Sequence, residues 1–224
     1  MSRVDAFERL VVGESNRLAV DIAERVVERP GVWNLNPLVI VGESGTGKTA
    51  LLEAMHNGMG DEYPQAKVLL QSGRAFMDLW IKALQGGTLE DFRQKLADLD
   101  VLLLDEGEFL LGKQDLQSEI RAIFSEMLKK GRQIAFASTI SIAELDDAVF
   151  EKGLQGRLCS GLEVRLGLPD EEMKKTFIRR MCAGKGLPVS DEVSDVVVAG
   201  NCGDFWRLRG AVCRWMAYAK EGSK

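Results

Sequence analysis

The segment Gly42-Glu43-Ser44-Gly45-Thr46-Gly47-Lys48-Thr49 fits GxxxxGK[ST] at every fixed position. Its glycines let backbone N–H groups curl around phosphate oxygens, where side chains would obstruct them. Lys48 supplies a point charge for the β- and γ-phosphates of a nucleotide, and the Thr49 hydroxyl can ligate magnesium. A helix opening at this point adds its positive end. About 55 residues further on, Asp105-Glu106 closes an apolar run. At a strand end Asp105 is placed to hold the magnesium, usually through water, and Glu106 to orient or activate an attacking water. The ligands expected are ATP or ADP with Mg2+, the metal at Thr49 and Asp105, and the reaction is ATP hydrolysis.

The elements that must position these groups alternate along the chain. Apolar runs at 38–41, 68–70, 101–104, 133–138 and 162–166 read as strands, and helical patterns fall at 48–55, 73–85, 88–99 and 114–130. Thr88 with Asp91 three residues later is the signature of a capped helix start. Continuous apolar strands between helices imply a parallel five-stranded sheet covered on both faces. Such a sheet brings the strand ends that carry the glycine loop and Asp105-Glu106 to one edge. After Pro169 only helices are expected, at 170–183, 190–199 and 204–219, which places a boundary near Gly167-Leu168-Pro169. Residues 1–168 then form an α/β nucleotide-binding core and residues 169–224 a small all-helical lid. Trp206 and Trp215, nine positions apart on the last helix, are expected to pack the lid core.

Composition narrows the class. With 224 residues, 46% apolar and 28% charged, the chain is long enough for one packed domain and a small appendage. The net charge of −5 argues against a surface wholly devoted to nucleic acid. Cys159, Cys182, Cys202 and Cys213 form no CxxC pair and read as reduced, partly buried thiols rather than a metal site. His56, the one histidine, reads as structural or exposed. No apolar run approaches the roughly 18 residues of a membrane span, so a cytoplasmic protein is expected.

With these elements placed, the chain resembles the AAA+ ATPase domain of the bacterial replication initiator DnaA and its single-domain relatives, from about Phe7 to Tyr218. The motifs that carry the likeness are Phe7…Val11-Val12-Gly13-Glu14-Ser15-Asn16, Asn36-Pro37-Leu38, and the stretch Phe76–Gln85 before the acidic strand. The resemblance implies a P-loop NTPase fold with Val11, Val12 and Asn16 near the adenine. It implies that Thr139, after the strand Gln133–Ser138, is a first sensor of the γ-phosphate or the water, where the family has an acidic residue. Arg157, in Gly156-Arg157-Leu158, resembles the arginine finger that reaches a neighbour's nucleotide, which implies self-association or another AAA+ partner. The family's second sensor arginine aligns with Trp206, so the lid presents Arg207 or Arg209 instead or lacks the sensor, with Arg207 favoured. Where the family commonly has two aspartates, this chain has Asp105-Glu106, and the longer glutamate favours turnover.

The family's wedge of residues 74–95 implies contact with single-stranded DNA. Here Arg74, Lys82, Arg93 and Lys95 face Asp78, Glu90 and Asp91, so a solvated helical face explains the segment equally well. Four phosphate contacts would give a log–log salt slope of roughly −3. Phe76, Trp80 and Phe92 could stack on bases, with core packing the stronger expectation. No helix-turn-helix follows the lid, so sequence-specific reading of duplex DNA is not expected. Met1–Leu10 shows no glutamine- and leucine-rich segment of the kind that docks a related regulator on the sliding clamp. Three functions fit: an ATP-controlled oligomerising switch in replication initiation or its regulation, an adaptor stimulating hydrolysis by an initiator, and a helicase-loader or transposition-type ATPase that recruits another protein to DNA.

Overall fold

In the computed structural model, which describes residues 3–187, 189–200 and 203–221, five parallel strands form one sheet. They are β1 (Leu38–Gly42), β2 (Val68–Ser72), β3 (Val101–Asp105), β4 (Gln133–Ser138) and β5 (Leu162–Leu166), in the spatial order β2-β3-β4-β1-β5. The register pairs Ser72 with Asp105, Leu104 with Phe136, Val41 with Ser138 and Gly42 with Leu166. One edge of the sheet therefore carries the start of the glycine loop, the acid pair and Thr139.

Side chains of a strand alternate between faces. Leu38, Ile40, Leu103, Ala135 and Val164 point to one side, against α2 (Arg17–Glu28) and α3 (Lys48–Glu62). Val39, Val41, Leu102, Leu104 and Phe136 point to the other, against α4 (Gly73–Gln85), α6 (Gln114–Lys129) and α7 (Lys152–Cys159). Both faces are covered, which is why the strands read as unbroken apolar runs. Each fully buried Leu or Phe contributes roughly 1.5–3 kcal/mol. Buried Asn36 secures the entry to β1: its side-chain amide donates to the Arg132 carbonyl at 2.8 Å and accepts from the Ile134 N–H at 2.9 Å.

Helices α1 (Arg3–Glu8), α2 and α7 were not among the expected elements. The signal for α2 was present, since Ala19, Ala23, Val26 and Val27 recur at helical spacing and are fully buried. At α5 (Leu89–Ala97) the expected cap is absent: Thr88, at φ −110° and ψ 29°, lies outside the extended geometry a capping side chain needs and makes no such hydrogen bond. Ser72 caps α4, accepting from the Ala75 N–H at 3.3 Å.

The last helices, α8 (Glu171–Ala183), α9 (Asp191–Ala199) and α10 (Phe205–Glu221), pack around Ile178, Cys182, Val198, Leu208 and Val212. Burial raises the Cys182 thiol pKa, in keeping with a small core side chain. Cys159 and Cys213 are exposed, and Cys202 lies outside the described residues. The two tryptophans of α10 separate. Nine residues advance a helix by half a turn beyond whole turns, so Trp215 packs against the lid core while Trp206 is 68% exposed. Hydrogen bonds dock these helices on the glycine loop and the N-terminal segment: the Phe205 N–H donates to the Gly45 carbonyl at 3.0 Å, and the Arg180 guanidinium donates to the carbonyls of Glu8 and Leu10 at 2.9 and 2.8 Å. No described helix is long and apolar enough to cross a membrane.

Candidate functional site

A cleft of about 480 Å³ opens between the sheet edge and α10. Its wall includes the apolar residues Leu10, Val11, Val20, Leu166, Phe177 and Phe205. It also includes Ser44 to Thr49, Asp105, Glu106 and Thr139. That mixture suits a ligand with a flat, weakly polar part and a polyanionic part.

The loop is shaped for the anionic end. Gly47 adopts φ +104°, and a side chain there would meet nothing within 4 Å. The position therefore demands glycine for its backbone conformation, and the space beside it is left open for a ligand. Lys48 is buried. Its Nζ donates to the carbonyls of Gly42 and Glu43 at 2.7 and 2.9 Å. Burial lowers the ammonium pKa, opposed by the negative charges of Glu108 and then Asp105. Gly42 and Glu43 thus serve through their carbonyls, off the cleft wall.

The acid pair is held by its surroundings. Buried Asp105 accepts from the Thr49 hydroxyl at 2.6 Å through one oxygen, and from the Glu106 N–H at 2.8 Å through the other. Hydroxyl and carboxylate, side by side at the end of the glycine loop, form the hard-oxygen donor set that magnesium prefers. Glu106 adopts φ +51°, alone among the described non-glycine residues in the left-handed region. Such a conformation costs on the order of 1–3 kcal/mol and persists where packing imposes it. Here Gly73 at the start of α4 lies so close that a Cβ would stand 2.6 Å from the Glu106 carbonyl oxygen, and Arg74 stacks over the Phe109 ring at 4.5 Å. Glu106 itself is exposed and lines the cleft.

At the entry segment Val11 lines the cleft, while Val12 is 40% exposed and does not. Asn16, also on the wall, braces this turn, donating to the Val11 carbonyl and accepting from the Gly13 N–H, both at 2.9 Å. Thr139 is half-buried on the wall beyond β4. Arg157 is exposed on α7, its Nε–H donated to the Ser125 hydroxyl at 3.1 Å, and it does not reach the cleft.

The lid departs from expectation. Arg209, not Arg207, stands on the cleft wall beside Phe205 and Trp206. Residues 205, 206 and 209 share one face of a helix, whereas Arg207 lies about 200° from Phe205. Arg207 is turned out, 77% exposed, with Asp204 at 3.8 Å. Glu108 is a further wall residue that spacing did not single out; one of its carboxylate oxygens accepts from the Thr139 N–H at 3.2 Å.

The wedge segment is largely occupied with itself. Phe76 is buried and meets Phe92 edge to face, with ring centroids 5.6 Å apart, and Trp80 packs on the same cluster. Arg93 forms a two-pronged pair with buried Glu119 at 2.6 and 2.8 Å, which holds its pKa above the ordinary arginine value. With Arg74 held on Phe109, two of the four expected phosphate contacts are engaged inside the chain.

A model of the bacterial DnaA ATPase domain matches residues 1–165. The chromosomal replication initiator protein DnaA of Thermotoga maritima is 32% identical over 219 residues, covering 97% of this chain and 49% of that protein. Among solved structures, domain III of the Thermotoga maritima replication initiation protein DnaA superposes with a TM-score of 0.90 at 32% identity, covering 97% of this chain and 90% of that one. A replication initiator DnaA bound to AMPPCP and single-stranded DNA gives 0.82 at 30% identity, covering 92% of this chain and 62% of that one. The chain spans about half the length of the curated relatives it matches.

Proposed function

Because this chain belongs to the family of bacterial DnaA ATPase domains, we propose that it binds ATP with magnesium and acts as a nucleotide-controlled oligomerising switch in replication initiation or its regulation. The observation that carries the reading is the convergence of Lys48, Thr49, Asp105 and Glu106 in one cleft at the sheet edge. Residues 1–168 serve as the nucleotide-binding core and residues 169–224 as the lid.

The donor set fits a nucleotide and its metal. Thr49 and Asp105 would hold the magnesium, which, when bound, neutralises charge on the phosphates. The remaining work falls to the chain. Loop amides and Lys48 hold the phosphates, which draws the lysine away from the carbonyls it now bonds. Val11, Val20 and Phe177 enclose the base. Glu106 takes a proton from the attacking water, and Thr139 helps to hold that water or the γ-phosphate. Arg209, which lines the cleft as Arg207 does not, serves as the lid's sensor of the nucleotide. The result is slow hydrolysis of ATP to ADP and phosphate.

Arg157 lies off its own cleft and exposed, as a residue serving a neighbour's nucleotide must. The expected result in solution is a larger particle mass with a non-hydrolysable ATP analogue than with ADP. Arg157→Ala should abolish that difference and leave the nucleotide affinity of the dilute protein within about twofold, since related fingers stabilise the transition state of a neighbour. An identical mass with both nucleotides, at high concentration, would defeat the switch. A single-stranded DNA footprint here would rest on exposed Lys82 and Lys95, half of what the residue types offered.

The packing of α4 against the acid pair gives a second test. Gly73→Ala must push the Glu106 carbonyl away, and misplacement of a catalytic group by about 1 Å costs up to about 10²-fold. Turnover is expected to fall about 10- to 100-fold with nucleotide affinity nearly unchanged, read by steady-state hydrolysis and calorimetry. Unaltered turnover would show that the Glu106 conformation is irrelevant to hydrolysis.

A further inference from the structure

Four carboxylates line the cleft, Glu53 on α3 and Asp105, Glu106 and Glu108 at and after the end of β3, and the reading above employs two. Asp105 is tied to Thr49, and Glu106 faces the attacking water. Glu108 has no such task. It sits on the short turn Gly107–Leu110 directly after the acids. That turn is packed so tightly on β4 that a Cβ at Gly107 would overlap the Phe136 ring, 2.1 Å from its nearest atom. The Glu108 carboxylate is further fixed by accepting from the Thr139 N–H at 3.2 Å, and it lines the cleft. Lys48, the residue that meets the β- and γ-phosphates, has the Glu108 charge near enough to oppose the lowering of its pKa by burial. Glu108 is therefore a fixed negative charge at the far end of the phosphate cradle.

We propose that Glu108 is a specificity-determining residue that opposes a nucleoside triphosphate more than a diphosphate. This rests on the nucleotide-binding reading and deepens it. The γ-phosphate adds negative charge at the end of the ligand nearest Lys48 and Thr139, whereas ADP ends short of it. Repulsion between unit charges about 6 Å apart, at an effective dielectric near 40 in a cleft open to water, corresponds to about a tenfold change in affinity. The chain thus holds ADP more readily than metal-free ATP, and magnesium narrows the gap. Through the Thr139 N–H the same carboxylate is also a positioning residue for the strand end.

The test is calorimetric titration of the full chain with AMPPCP and with ADP, each with and without magnesium, using wild type, Glu108→Gln and Glu108→Asp. Glutamine keeps an acceptor for Thr139 and loses the charge. AMPPCP is expected to bind Glu108→Gln about tenfold more tightly than wild type, with ADP within about twofold. Glu108→Asp retains the charge but not the reach, so its AMPPCP-to-ADP ratio stays near wild type while turnover slows. Omitting magnesium should deepen the preference for ADP in wild type and less so in Glu108→Gln. An unchanged ratio in Glu108→Gln, with both ligands still bound, would overturn the role of Glu108 and leave the nucleotide site standing. Wild type binding neither ligand would instead remove the reading beneath it. Should the glutamine variant not fold, Glu108→Ala must show the same rise in ratio, and its absence there would equally overturn the role.

Discussion

Lys48→Ala is expected to weaken magnesium–ATP binding about a thousandfold while leaving a folded protein. An ammonium about 4 Å from a phosphate charge, at an effective dielectric near 20, contributes about 4 kcal/mol, which is close to three decades in affinity. The fold should survive because, among the described residues, Lys48 bonds only to the loop carbonyls of Gly42 and Glu43. Each carbonyl left unpaired costs at most about 1–3 kcal/mol, and less where water reaches it, as at half-buried Gly42 and exposed Glu43. Removing a cation whose burial already disfavours its charge offsets part of that. Calorimetry measures the binding loss, and thermal unfolding without nucleotide measures the stability change. Retained affinity would mean that the phosphates do not lie against Lys48.

The second large effect concerns Glu106→Gln. This change should preserve nucleotide binding and lower turnover about 10²- to 10⁴-fold, the usual contribution of a positioned general base. Glutamine has the same shape and bears the φ of +51° at no greater cost than glutamate, so geometry and stability change little. A fall in kcat with affinity kept is the signature of a group that acts only in the transition state. Normal hydrolysis by this variant would assign the water to another residue, with Glu53, Asp105 and Glu108 the other carboxylates on the wall.

The two effects differ in how far the sequence could foretell them. The glycine loop is contiguous and its meaning is local, so Gly42 to Thr49 were legible as a unit. Asp105-Glu106 was legible because parallel strands with continuous apolar runs must end at one edge. The lid was legible as helices but not in its rotation. Which face of α10 meets the cleft is set by the Phe205 N–H docking on the Gly45 carbonyl, a contact 160 residues apart along the chain. One residue of helical phase then decides between Arg207 and Arg209, and half a turn decides that Trp206 faces the cleft rather than the lid core. Glu108 lay hidden for a similar reason. Nothing in its neighbours marks it until Glu106 takes a left-handed turn and Gly107 packs on Phe136.

The wedge segment shows a further limit. Residue types gave Arg74 and Arg93 as candidates for phosphate, and tertiary structure assigned them other work, on the Phe109 ring and on buried Glu119. Counting basic residues measures what a surface could bind. Their partners determine what remains free to do so.

The whole account turns on a polyanion and its cation being held where the glycine loop meets the Asp105 carboxylate. Thermal unfolding of the wild-type chain with and without AMPPCP and magnesium addresses this directly. Saturation at about a hundred times the dissociation constant adds about 2.7 kcal/mol, which for a chain of this size raises Tm by roughly 5–10 °C. A rise of that size, lost in Lys48→Ala, is the expected outcome. An unchanged Tm at millimolar nucleotide would contradict it.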